Sequence, residues 1–188
     1  MSLTLYPYFV DPARLRAVYG GKDATLAAQV RAGISWPPTA GEAVSAEEAL
    51  DQIIRGAVLD SAARDVYTSV LESICGVVGV DGTESLNEDD LQAFEPELVE
   101  RANAALARLG GAGLDALVTK DHPYLPGIGR PDDIPLIDLY EATDCARVTA
   151  AIAARWTDFA AAEALAVGPL LRLLERRRFY DALIVFSY

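Results

Sequence analysis

His122, Asp132 and Asp133 are the side chains whose types best suit proton transfer, and all three lie in the stretch Asp121 to Tyr140. His122 is the only histidine of the chain, and an imidazole near its ordinary pKa shuttles protons at neutral pH when a carboxylate orients it. Asp121 is adjacent in sequence, and adjacent residues rarely achieve that geometry. The orienting group would be Asp132 or Asp133 folding back, with a water or a hydroxyl as nucleophile, which is the equipment of a small hydrolase. The same two carboxylates, with Asp138 or Glu141, have the hard oxygen chemistry that a divalent cation needs, so metal-assisted catalysis belongs to this alternative. Against it stands a plainer expectation: His122 precedes a proline in a loop, and Asp132-Asp133 after Pro131 makes a turn whose side chains satisfy nearby backbone donors. Four of the ten prolines fall between 121 and 140. They fix φ and delete donors, so the segment reads as a stiff extended strap.

Other motifs fail on chemistry. Asp81-x-Thr83-x-Ser85 starts like a calcium loop but has Leu86 where the sharp turn needs Gly and Gln92 where a bidentate Glu belongs. Gly127-Ile128-Gly129 lacks a third glycine, and Arg130-Pro131 follows where a helix N-terminus would hold phosphate. No nucleophile elbow, zincin or Walker pattern occurs, and a single histidine rules out multi-histidine metal centres. Cys75 and Cys145 sit in separate apolar stretches without paired spacing and read as buried free thiols. The expectation is therefore no cofactor and no resident metal.

Charge carries the leading reading. The 188 residues have a net charge of −12, and between Asp81 and Glu100 there are eight carboxylates with no Lys or Arg. Such a field repels nucleic acid and anionic membranes and attracts basic surfaces. This favours a non-enzymatic cytoplasmic protein-binding module, of an immunity or regulatory type, acting on a basic protein partner and using neither nucleic acid nor membrane. Its candidate binding residues are Glu88, Asp89, Asp90, Glu95, Glu97, His122, Tyr124, Asp132 and Asp133. Glu95 and Glu97 also suit the first turn of a helix, where the dipole favours acids. Arg172, Arg176, Arg177 and Arg178 form a basic cluster that suits a helix C-terminus for the converse reason.

The elements that position these groups follow from periodicity. Residues 3 to 10 predict a strand, placed at an edge or a bulge by Pro7. Asp11 with Pro12 opens a short helix that stops at Gly20-Gly21, and a second runs from Asp23 to Ala32. Ser45 with Glu48 forms a capping box for a helix ending at Gly56. Asp60 opens a longer helix with Val66, Tyr67, Val70, Ile74 and Val77 inward, ending at Gly79. Pro96 opens a helix that ends at Gly110-Gly111. After the strap come a strand over 135 to 140, a helix capped by Thr143 and reaching Ala154, and a helix from Thr157 to Arg178 kinked or broken at Pro169. A last strand covers 182 to 188. The fold class expected is α+β: one mostly helical domain over 1–188, with a small sheet made by the two terminal strands and the strand near 135–140. The N-terminus lacks the basic region of a signal peptide, and no apolar stretch is long enough to span a membrane.

Three segments, Tyr8 to Gly20, Tyr124 to Ile137 and Asp181 to Tyr188, resemble an uncharacterised bacterial domain family and, more distantly, YfbM-like domains. The resemblance implies an α+β fold with terminal strands sharing one sheet, and it transfers no catalytic residue.

Overall fold

A computed structural model describes residues 5–33, 44–81, 96–109, 124–128, 136–176 and 182–187. Strand β1 (Leu5–Val10) leads into α1 (Pro12–Arg16), α2 (Ala24–Gly33), α3 (Ala46–Arg55) and α4 (Arg64–Val78), then β2 (Val80–Asp81). Next come α5 (Pro96–Arg108), β3 (Leu136–Glu141), α6 (Ala142–Ala154), α7 (Ala161–Arg176) and β4 (Ala182–Ser187). The strands form an antiparallel sheet in the order β2-β1-β4-β3. As expected, the two terminal strands pair directly, Leu5 with Ser187 through Val10 with Ala182, and β3 joins the far side of β4.

The sheet is covered on both faces. Along β1, Val10 enters a core cluster with α1 to α4 while its neighbour Phe9 enters another with α5 to α7. On β4, Ala182, Ile184 and Phe186 face the first cluster and Val185 the second. Successive side chains on a strand point to opposite faces, and here each face meets helices. That explains why these strands are apolar at nearly every position instead of alternating with polar residues.

Local chemistry sets the element ends. Asp11 Oδ1 accepts from Ala13 N–H and Arg14 N–H with Pro12 at the first helical position. Ser45 caps α3 by accepting from Glu48 N–H, and Gly56 ends it in a left-handed conformation. Arg14 donates to Val78 O at the end of α4, satisfying a carbonyl left open by the helix. Gly79 is required by close approach, because a Cβ there would lie 2.7 Å from Phe9 O.

Several boundaries differ from the sequence reading. Asp60 caps a 3-10 turn, Ser61–Ala63, before α4 begins. Thr143 is not a cap: α6 starts at Ala142 after Glu141, whose side chain makes no capping bond. The last helix begins at Ala161, preceded by a 3-10 turn at Trp156–Asp158, and runs through Pro169 without a break. β1 is flanked on both sides, but β2 pairs only with Tyr8 and Phe9, so Pro7 lies beyond the end of β2 and costs no bond with it. The two-residue β2 went unread because Asp81 counts as part of the acidic run. Among the described residues no helix is long and apolar enough to cross a membrane.

Candidate functional site

Of the residues singled out from sequence, Glu88, Asp89, Asp90, Glu95, His122, Asp132 and Asp133 lie outside the described residues. Glu97 is exposed in the first turn of α5, where the helix dipole favours it. Tyr124 is brought inside. Leu125-Pro126-Gly127-Ile128 has the pattern of a type II turn: proline at the second place, glycine with φ +82° at the third, and Ile128 N–H donating to Leu125 O at 3.2 Å. Gly127 is thus a turn corner, and it buries Tyr124, Leu125 and Ile128 against the α1 to α4 side of the sheet.

The side chain that organises this end of the sheet is Arg16. It closes α1, and its guanidinium carbon stands 5.5 Å from the centre of the Tyr124 ring. Arg16 Nη2 also donates to Glu141 Oε1 at 2.6 Å, and Glu141 ends β3. One arginine therefore touches both Tyr124 and Glu141. The ion pair is half exposed, so its own contribution is about 0–1 kcal/mol, and its effect is positional. This contact engages Glu141, a side chain otherwise considered as a cation ligand.

Beneath Arg16 the side chains are buried. Among the described residues the Tyr124 hydroxyl is enclosed without a hydrogen-bond partner. Burial, then the Glu141 carboxylate, pushes its pKa far above the ordinary phenol value, while Arg16 pulls the other way. Burial, then Glu72, likewise drives the Cys75 thiol far above its usual range. Both groups stay neutral at physiological pH, so Cys75 offers a thiol and no nucleophilic thiolate. Nearby, the partly buried Tyr8 hydroxyl donates to Glu72 Oε1 at 3.2 Å, and the Tyr8 ring meets Phe186 edge-on.

A second polar site lies between α2 and α3, an open groove lined by Arg31, Ser45, Glu47, Glu48, Asp51, Gln52, Arg55 and Ala57. Its charges are largely committed to one another, since Asp51 accepts from both Arg31 and Arg55. Gln52 donates to Glu48 and accepts from the buried Tyr67 hydroxyl.

Sequence reasoning missed Arg16, Cys75 and Glu72 as members of these constellations. The pairs are far apart in the chain, 125 positions for Arg16 and Glu141 and 64 for Tyr8 and Glu72, so no local pattern marks them.

Residues 1–179 match the family model described as a domain of unknown function, DUF7691. No curated protein and no solved structure matches the chain.

Proposed function

The chain belongs to the DUF7691 family, and from that footing we propose that it is a non-enzymatic protein-binding module of an immunity or regulatory type, engaging a basic protein partner in the cytoplasm. The observation that carries this reading is the charge: −12 overall, with eight carboxylates and no Lys or Arg from Asp81 to Glu100. A field of that sign speeds encounter with a basic surface and repels acidic competitors. The recognition surface comprises Glu88, Asp89, Asp90, Glu95 and Glu97 together with the strap residues His122, Asp132 and Asp133. Support for a role of the strap comes from Arg16, which contacts Tyr124 within it and Glu141 just after it. A bacterial setting and a distant kinship with YfbM-like domains complete the reading, supported by the motifs at Tyr8 to Gly20, Tyr124 to Ile137 and Asp181 to Tyr188.

The test is affinity capture from native lysate with the wild-type chain and with a variant carrying Glu88→Gln, Asp89→Asn, Asp90→Asn, Glu95→Gln and Glu97→Gln. A basic protein retained by the wild type, released by moderate salt and lost by the variant supports the reading. Retention of nothing specific at either low or moderate salt defeats it.

A further inference from the structure

Helix α7 turns an apolar knob and a hole to solvent within one turn of each other. The knob is Leu165, 74% exposed. Three residues on, Gly168 stands between two large side chains, since a Cβ built on it would lie 3.6 Å from Arg172 Nη1 and 4.0 Å from Trp156 Cη2. The missing side chain leaves a notch with a guanidinium on one flank and an indole on the other. Trp156 is itself 41% exposed, and its ring meets Phe159 edge-on. Gly168 also spares the helix a clash with the ring of Pro169 that follows it. Ala161, Leu165, Gly168 and Arg172 follow one another at spacings of 4, 3 and 4, so they share one stripe of α7, opposite the buried Val167, Leu170 and Leu174. A single exposed leucine is ordinary on a protein surface. A leucine next to a hole on the same stripe is self-complementary.

Leu165 and Gly168 lie about 4.5 Å apart along the helix. A two-fold axis passing between them lays α7 antiparallel on its copy and sets each Leu165 over the other's Gly168, an isologous contact in which knob meets hole twice. The charges agree with this arrangement. Two chains of net charge −12 repel each other, but the exposed charges around this stripe balance, Arg155 with Asp158 just before α7 and Arg172 with Glu175 in its later turns. Antiparallel packing brings those two ends together, so the cation at each end of one copy meets an acid of the other. We propose that the Leu165 and Gly168 stripe of α7 is the seam of a homodimer, its occupant a second copy of this chain. The seam uses no residue of the acidic run, so dimerisation and capture of a basic partner stand or fall separately.

The experiment is sedimentation velocity on the full 188-residue chain over a dilution series in reducing buffer. The wild type moves from one chain mass, 20.1 kDa, to two as its concentration rises toward about 0.1 mM. Leu165→Lys brings a cation against the partner's Arg172 position and weakens the dimer by about 30-fold or more. It also makes each chain less negative, so general repulsion cannot explain the loss. Its urea midpoint, measured where the wild type is monomeric, stays unchanged because Leu165 is exposed in the single chain. Leu165→Met, apolar and of similar volume, keeps the dimer. A wild type that remains at one chain mass at about 0.1 mM overturns the proposal. So does a Leu165→Lys chain that dimerises as tightly as the wild type, or a Leu165→Met chain that dimerises as poorly as Leu165→Lys.

Discussion

Gly20 and Gly56 meet backbone to backbone: a Cβ placed on Gly56 would fall 2.8 Å from the Gly20 Cα. Both have positive φ, 73° and 68°. The approach lets the turn after α1 donate from Gly20 N–H to Ile53 O and from Lys22 N–H to Ile54 O, each at 2.9 Å. The last turn of α3 is thereby satisfied by a neighbouring turn as well as by its own Gly56 N–H.

Gly56→Ala is accordingly expected to destabilise the fold by about 2 kcal/mol or more, since a left-handed alanine costs about 1–2 kcal/mol before the backbone collision is counted. Gly127→Ala is the matched control. Its φ is also positive, but nothing lies within 4 Å of an added Cβ, so only the conformational cost of about 1–2 kcal/mol applies. Urea unfolding at constant m-value measures both, and a Gly56→Ala loss no larger than that of Gly127→Ala would refute the contact.

These glycines also show what could be read in advance. Gly56 and Gly79 announce helix ends in the sequence because a stop signal is local, as are Asp11, Ser45 and Pro12 at helix starts. The pairing of the terminal strands was legible from composition, their nearly continuous apolar runs suiting a sheet covered on both faces. The Gly20 to Gly56 approach and the Arg16 contacts to Tyr124 and Glu141 were not. They depend on how elements distant in the chain are brought together, and no spacing rule encodes that. Tyr124, a candidate binding residue by sequence, is buried in the core, where its apolar ring and turn context place it.

Two buried tyrosines should answer the same substitution with opposite signs. The Tyr67 hydroxyl donates to Gln52 Oε1 and accepts from Asp60 N–H, so Tyr67→Phe orphans both partners and costs about 1 kcal/mol. Among the described residues the Tyr124 hydroxyl has no partner to lose. Tyr124→Phe removes a desolvation penalty of about 1–3 kcal/mol and raises stability. Thermal unfolding of the two variants side by side decides the matter, and a destabilised Tyr124→Phe chain would show that the hydroxyl is bonded in solution.

Acid should erase one helix contact selectively. Arg108 donates to both Glu163 oxygens, at 2.8 and 2.6 Å, and Ala160 N–H donates to Glu163 Oε2, closing the start of α7 as in a capping box. The Arg108 hydrogen bond first, then the Ala160 N–H, holds the Glu163 carboxyl below its ordinary value of 4.5. A depressed carboxylate contributes stability that is present above its unfolded pKa and is lost as pH falls through the lower, folded value. Glu163→Gln should thus lower the melting temperature at pH 7 and leave it nearly unchanged once the medium is acidic enough to protonate the native carboxyl. A gap between the two chains that stays constant with pH would place the effect elsewhere.

The Arg16 to Glu141 pair is expected to be weak in energy and strong in placement. At 52% and 32% side-chain exposure, both groups keep much of their hydration, so a double-mutant cycle with Arg16→Ala and Glu141→Gln should give a coupling of about 0.2–1 kcal/mol, falling with added salt. Arg16→Ala alone should cost more than Glu141→Gln, because it also strips the cation from the face of the Tyr124 ring, worth about 0.5–1 kcal/mol at an exposed site. Arg16→Lys separates the two contributions: a lysine keeps the charge but loses the planar fork that lies over the ring while reaching Glu141. If Arg16→Lys matches the wild type in stability, the guanidinium geometry is irrelevant and charge alone fastens Tyr124 to Glu141.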